Sequence, residues 1–408
     1  MFEVRRYGFF NLWLLLFFIV AIVGSAALNI YLVLSSLFLI YHFFKKNFVH
    51  EVQSKNWITF YLIFFVFIVA NSLNAIDFYS SLKSSVSQIR FFLFSLLIMF
   101  FLKIENIPKL IFSLSILNIF VCFDTIFQYF YGVDFFGIPA TPETNPGRYS
   151  GPFGSELIVG TYLYLSSSVI FAYFILNKTK NLKEIFYRFF YITLTINTII
   201  LSGERMNTIL AIVTILILIF FKFKKTQKIL ITFSFLLFLI FFYNSNKVIQ
   251  VRFNIFVHDV MLLHNSNHGK IFSSAYDIWQ DNFFTGVGLK NFRIVCDENK
   301  INTFTKRKNL CSSHPHNFYF EILSETGIIG LILFFIFIIS FIKSFLKKIN
   351  FKLLADPMII GSALIILFYL FPIRSSGSFF STWFGSFFWF HLGILFCYLN
   401  TNLKNEKY

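Results

Sequence analysis

The feature that most constrains this chain is a series of about twelve apolar stretches, at 9–24, 26–44, 57–73, 87–102, 109–131, 155–176, 187–201, 205–221, 229–243, 322–342, 357–372 and 379–399. A helix needs roughly 20 mostly apolar residues to cross a bilayer, because each backbone amide must find its partner inside the segment. Most of these stretches approach that length, and polar or charged breaks separate them. Composition agrees: 57% of the 408 residues are hydrophobic, 13% are charged and 64 are Phe. A soluble domain carries roughly 25% charged and about 45–50% apolar residues. Disordered, collagen-like and small disulfide-rich classes are therefore excluded. A basic DNA-binding domain is also disfavoured, although the formal net charge is +16. The expected architecture is an all-α polytopic membrane protein, one integral domain over 1–408 with about 12 transmembrane helices.

Orientation follows from Lys and Arg in the short breaks. With Arg5 and Arg6 inside, every second break is basic, through Lys45, Lys103, the Lys178–Arg188 and Lys222–Lys228 segments, the Lys343–Lys352 segment and Lys404. The inner side collects 21 basic residues, and both termini are expected there. One long outer segment, about 244–320, stands apart as a partly helical loop. Within it Lys270–Asn282 has helical apolar spacing and is expected to lie on the membrane surface as an amphipathic helix. The first apolar run lacks a small-residue cleavage site and reads as a retained helix. Cys122 and Cys397 fall in spans. Cys296 and Cys311 share the outer loop, where an oxidising compartment permits but does not require a disulfide. Neither CxxC nor a zinc-spaced His/Cys set occurs, so no metal is expected.

The polar motifs other than inner-side Lys gather outside. They are Arg148-Tyr-Ser-Gly-Pro-Phe-Gly-Ser-Glu156, the Ser202-Gly-Glu-Arg205 turn, the long loop with Arg252 and Arg293 that ends at His314-Pro-His-Asn317, and the Pro372–Ser378 break with Arg374. Arg205 at a membrane boundary has two readings. It snorkels or pairs with Glu204, or it clamps an anion with a planar fork suited to phosphate oxygens. Residue choice bears on this. The inner side has 18 Lys and 3 Arg, the outer side 7 of each. Topology signals are indifferent to that choice, so the outer Arg bias asks for another cause, either phosphate recognition or pairing with outer acids. Asn317 reads as the N-cap of a helix entering the tenth span, with Glu321 and Glu325 on one face. His316 then precedes a helix start at the membrane surface. It serves either structure or general-base chemistry, and nearby arginines would keep it neutral. His314 is the weaker candidate.

Four segments carry a resemblance: Arg148–Leu163 (RYSGPFGSELIVGTYL), Ser202–Arg205 (SGER), Pro315–Gly330 (PHNFYFEILSETGIIG) and Ser376–Gly393 (SGSFFSTWFGSFFWFHLG). In this order and on this side they resemble the O-antigen ligase and polymerase superfamily, from about residue 120 onward. The resemblance makes the outer side periplasmic and the loop at 244–320 the family's large periplasmic loop. It implies a metal-independent, cofactor-free glycosyltransferase of the bacterial inner membrane. The donor would be a glycan on undecaprenyl diphosphate, and the acceptor lipid A-core, another lipid-linked repeat or a protein hydroxyl. By the same resemblance His316 stands near the acceptor, while Arg205 and, more loosely, Arg252 hold the diphosphate. Arg148, Glu156, Arg293, Arg374 and Asn317 are further candidates for substrate contact. O-antigen ligation is favoured over polymerisation and protein glycosylation. Transport or lipid flipping, which would put ionisable groups near the midplane, is the distant rival. No nucleic-acid partner is expected.

Overall fold

The structure is a computed structural model that describes residues 2–46, 56–140, 147–179, 181–245, 247–298, 310–347, 349, 353, 355–372, 374 and 377–405. Among them it is helical without strands, apart from an isolated bridge between Val133 and Pro139. In chain order the helices are α1 (Phe2–Val23), α2 (Ser25–Lys46), α3 (Asn56–Ala70), α4 (Phe78–Ser87), α5 (Ile89–Phe101), α6 (Ile107–Tyr131), α7 (Val159–Leu176) and α8 (Leu182–Leu201). They continue with α9 (Arg205–Lys222), α10 (Lys225–Ser245), α11 (Lys247–Met261), α12 (Asn267–Asp281), α13 (Phe292–Glu298), α14 (Phe318–Leu346), α15 (Pro357–Tyr369) and α16 (Thr382–Asn405).

Nine helical stretches among the described residues are long and apolar enough to cross a membrane, and Phe10–Val23 and Pro357–Tyr369 are shorter apolar helices. The expected span 229–243 lies in α10. One expected boundary fell short. The span read as 187–201 begins at Leu182, because Glu184 and Arg188 pair within the helix (i, i+4) and Arg188 also donates to Phe174 O and Asn177 O at 2.8 Å. Charges satisfied locally do not end a helix.

The chain divides into two compact units. One comprises Met1–Leu28, Phe101–His258 and Asn350–Phe368. In it α7 packs on α6, α8 and α9, and α1 packs on α6. Residues of α7 are buried on nearly every side. Its Ser167 hydroxyl accepts from Asn118 of α6, and Tyr191 of α8 accepts from the same amide, both at 2.9 Å. Polar ties of this kind join helices where apolar contact with lipid costs nothing.

The other unit comprises Asn29–Phe100, Asp259–Ile349 and Tyr369–Tyr408. Its centre is aromatic. Trp57 stacks on Phe396 at 3.9 Å between ring centroids, Tyr61 on Phe92 at 4.2 Å and Phe337 on Trp389 at 5.8 Å. Such ring pairs add geometry-specific attraction to simple burial, which gives the Phe-rich composition a packing role. Long α14 packs on α3 and on α12. Gly327 breaks α14 with φ 64° and ψ −170°. The loop helix α12 matches the expected Lys270–Asn282 helix, and protein covers the apolar face that was expected to meet the membrane. Its periodic apolar face, Ile271, Ala275 and Ile278, is buried in a small core with Val287, Phe292, Val295 and Cys296. That face is covered by protein. Cys296 and Cys311 are disulfide-bonded, with their Cα atoms 5.6 Å apart.

Candidate active site

In the first unit the site is built around the turn from α8 to α9. Ser202 closes α8 by donating to Ile199 O at 2.7 Å. Gly203 follows with φ 74°, where a Cβ would stand 3.3 Å from both Arg148 Cγ and Arg252 Nη1. Glycine thus lets two arginines approach the backbone. Glu204 does not cap its own helix. Its carboxylate accepts from Gly160 N at 2.7 Å, Thr161 N at 3.1 Å, Asn207 Nδ2 at 2.8 Å and the Thr161 hydroxyl. An anion at the start of α7 meets the free amides and the positive dipole end. Burial nevertheless raises Glu204 above the ordinary carboxylate range, against these donors and the Arg148 charge.

Three arginines far apart in sequence meet at this turn. Arg205 Nη1 donates to Arg252 O and Arg252 Nη1 donates to Gly203 O, each at 3.2 Å. Arg148 Nη2 donates to Leu157 O at 2.6 Å. Burial, then the charges of Arg148 and Arg205, lower the proton affinity of Arg252. A guanidinium remains charged regardless, and the shift registers its burial first and the neighbouring positive charges second. The Arg205 guanidinium lies 5.6 Å over the Phe256 ring. Together with Tyr129, Tyr149 and Thr208, Arg205 and Arg252 line a small cleft of ≈ 30 Å³. Burial and Tyr129 hold the Tyr149 phenol above its ordinary value while Arg252 pulls it down, so it keeps a donor hydroxyl at neutral pH. Glu156 is exposed and does not line this cleft.

In the second unit Asn317 caps α14, accepting from Tyr319 N at 2.9 Å and Phe320 N at 3.3 Å. Its amide donates to Pro372 O at 2.7 Å and Arg374 O at 3.3 Å, which ties the cap to the 372–374 segment. His316 takes φ 56°, uncommon for a residue with a side chain. Its Nε2 is 3.0 Å from Ser312 Oγ, and the rings of His314 and His268 stand 4.1 and 5.4 Å away. Five residues before His316, Cys311 is bonded to α13. Glu321 accepts from Phe379 N at 2.6 Å and from Ser378, whose hydroxyl also accepts from Lys290 Nζ at 2.8 Å. Arg374 is buried, with its guanidinium 5.0 Å over Tyr369 and 5.3 Å over Phe384. Arg293 is exposed on α13.

The structure thus gathers Arg148, Arg205 and Arg252 in one unit, and His316, Asn317 and Arg374 in the other. Sequence reasoning missed Tyr129, Tyr149, His268, Ser312 and Lys290. Tyr149 lay inside the Arg148–Glu156 motif beside Arg148, and His268 lay two residues before the expected Lys270–Asn282 helix. Among the described residues no three His, Cys, Asp or Glu side chains form a set that could hold a metal ion.

Residues 190–335, from α8 to α14, match the family model described as O-Antigen ligase. The match covers 146 of the 408 residues, and it is this region that is similar to the O-antigen ligase family. The matched region holds Arg205, Arg252, Arg293, His316 and Asn317. No curated protein matches the chain. The match supports a glycosyltransferase-like enzyme with a glycan donor and an acceptor, and the described helices are long and apolar enough to cross a membrane several times.

Proposed function

We propose that this O-antigen ligase-type protein transfers a glycan from undecaprenyl diphosphate to a hydroxyl of lipid A-core at the periplasmic face, without a metal. The observation that carries the reading is the cleft in which Arg205 and Arg252 meet, with Arg148 alongside and two tyrosine rings on the wall. Three guanidinium groups held near one another repel, and a diphosphate relieves that repulsion while accepting their forked donors. Arg205 and Arg252 hold the diphosphate, and Arg148 adds charge. His316 takes the proton of the acceptor hydroxyl. The acceptor oxygen forms a bond to the anomeric carbon as the bond from that carbon to the diphosphate oxygen breaks, so the sugar inverts. The diphosphate leaves carrying the electron pair, and the arginines stabilise its growing charge without an acid. Asn317 fixes the helix start behind His316. Ser312 and His268 fix its ring. Arg374 supports the Asn317 anchor from between its two rings.

The test is a deletion strain complemented with wild type, Arg205→Ala or His316→Ala, scored for surface polysaccharide and for protein in the membrane. The expected outcome is inserted protein with transfer reduced at least about 100-fold in each variant. Full transfer by both would sink the mechanism. In the deletion strain itself, lipid A-core without polymer alongside accumulated lipid-linked polymer supports a ligase. A single attached repeat would make it a polymerase, and glycoprotein loss would point to a protein hydroxyl as acceptor.

A further inference from the structure

We infer that a strip of aromatic side chains on the large loop, Tyr276, Trp279, Phe283 and Phe284, inserts into the bilayer interface on the loop's side and holds the loop against the lipid. The loop meets α14 at the Gly327 break. At the glycine the chain lets another backbone approach, and a Cβ on Gly327 would stand 2.5 Å from Thr285 N. Ile328 N donates to Phe283 O at 2.9 Å and Ile329 N to Phe284 O at 3.2 Å. Two neighbouring pairs continue this ladder, Val287 N to Ser324 O and Gly288 N to Glu325 O, both at 2.9 Å. The 283–288 turn is therefore fixed in height against α14.

That height is the membrane boundary. Above the break α14 buries polar groups, with Glu321 and Glu325 each 1% exposed. Below it, residues 328–346 are uncharged except Lys343. They span roughly 28 Å as a helix, close to the roughly 30 Å of a hydrocarbon core. Ile329, Ile332, Ile336 and Ile339 are all exposed, at i, i+3, i+7 and i+10, and form a lipid-facing stripe. Phe284 (67% exposed) and Phe283 (43%) continue the stripe above the break. Trp279 packs on Phe283 at 5.0 Å and on Tyr276 at 5.4 Å. The strip ends in polar tips, with Trp279 Nε1 donating to Phe283 O and Gln280 Nε2 donating to the Tyr276 hydroxyl, both at 3.1 Å. Rings with an apolar body and a polar edge are the side chains that favour a membrane interface. The periodic face of α12 is buried in the loop's own core, so this separate strip makes the lipid contact.

The experiment places a cysteine at 284 (Phe284→Cys) and labels it with a nitrobenzoxadiazole dye in lipid nanodiscs. Cys122 and Cys397 are buried and the other two cysteines are bonded, so the label is selective. Asn267→Cys, exposed at the start of α12, gives the aqueous reference, and Ile332→Cys the lipid reference. Lipid carrying a nitroxide high on its acyl chain should quench position 284 at least about threefold more than 267, with iodide showing the reverse order. Equal behaviour at 284 and 267 would overturn the inference. So would protection of 284 from iodide by added polysaccharide in the absence of lipid quenching, which would make the strip a sugar-stacking platform. Transfer activity does not enter either readout, so the result stands apart from the proposed reaction.

Discussion

Glu204 shows how one side chain prepares the arginine cleft without entering it. Its carboxylate holds the N-terminus of α7 through two amides, a hydroxyl and the Asn207 amide, so the Gly203–Arg205 turn keeps its place beside α7. Glu204→Ala would leave those donors without an acceptor, a loss of about 3 kcal/mol in stability. Glu204→Gln keeps the shape and tests the charge. Because burial outweighs its donors, Glu204 binds its proton more tightly in the folded state than in the unfolded chain. Its contribution is therefore full below the ordinary carboxylate range and is lost as pH rises through the raised folded value. Thermal unfolding of detergent-solubilised protein should show the Tm of wild type, relative to Glu204→Gln, falling as pH climbs through that window. A difference that stays flat or grows with pH would refute the sign. The readability of this site was uneven at the same scale. Arg205 was visible because a four-residue turn between apolar runs leaves few residues to choose from. Tyr129 was invisible and Tyr149 unmarked within its motif, because only the return of the chain after α6 brings them to Arg252.

At the scale of elements, apolar runs were legible because a membrane span states its environment in its own composition. Their ends were less so, as at Leu182, where charged side chains stay in the helix by pairing and by capping α7 carbonyls. Amphipathic α12 was legible as a helix, but periodicity reports that a face is buried and not what buries it. Here the covering comes from α13, the Val287 turn and Cys296. The disulfide lay beyond sequence reasoning for the same reason: two cysteines in one loop do not reveal the distance between them. It fastens the segment before His316 to α13 across a separation of 15 residues. Closing a loop of that size contributes about 3 kcal/mol by restricting the unfolded chain. Reduction, or the double substitution Cys296→Ser with Cys311→Ser, should lower the midpoint of unfolding and also transfer, since His316 loses its tether. The two treatments should agree, and dithiothreitol should do nothing further to the double variant. Unchanged unfolding and activity in both would show that the bond does not hold the loop.

Across the whole molecule the same kinds of charge do different work at different ends of the helices. By the proposed topology the inner side carries 21 bases and 6 acids, the outer side 14 and 13, so nearly all of the +16 is an inner excess. Part of that inner charge is used where α7 ends. Arg188 donates to Phe174 O and Asn177 O, and Lys222 donates to Leu176 O, cations set against the negative end of a helix dipole. Three of the outer arginines, Arg148, Arg205 and Arg252, instead converge on the Gly203 turn between α8 and α9, where Arg252 donates to Gly203 O. Placement therefore separates the two uses that a charge total merges, orientation and anion binding. Both depend on one arrangement, with the basic ends of α7, α9 and α14 inside and the arginine turn outside. The arrangement is open to a direct check. A fluorescent protein fused after Tyr408 should mature and glow, while alkaline phosphatase at the same point stays inactive, because that enzyme needs the oxidising outer compartment for its disulfides. The same phosphatase inserted after Asn265 in the large loop should be active. Phosphatase activity at Tyr408, or its absence at Asn265 in protein that still inserts, would invert the topology. It would also put the arginine cleft on the side opposite to any periplasmic acceptor, and the proposed reaction would fall with it.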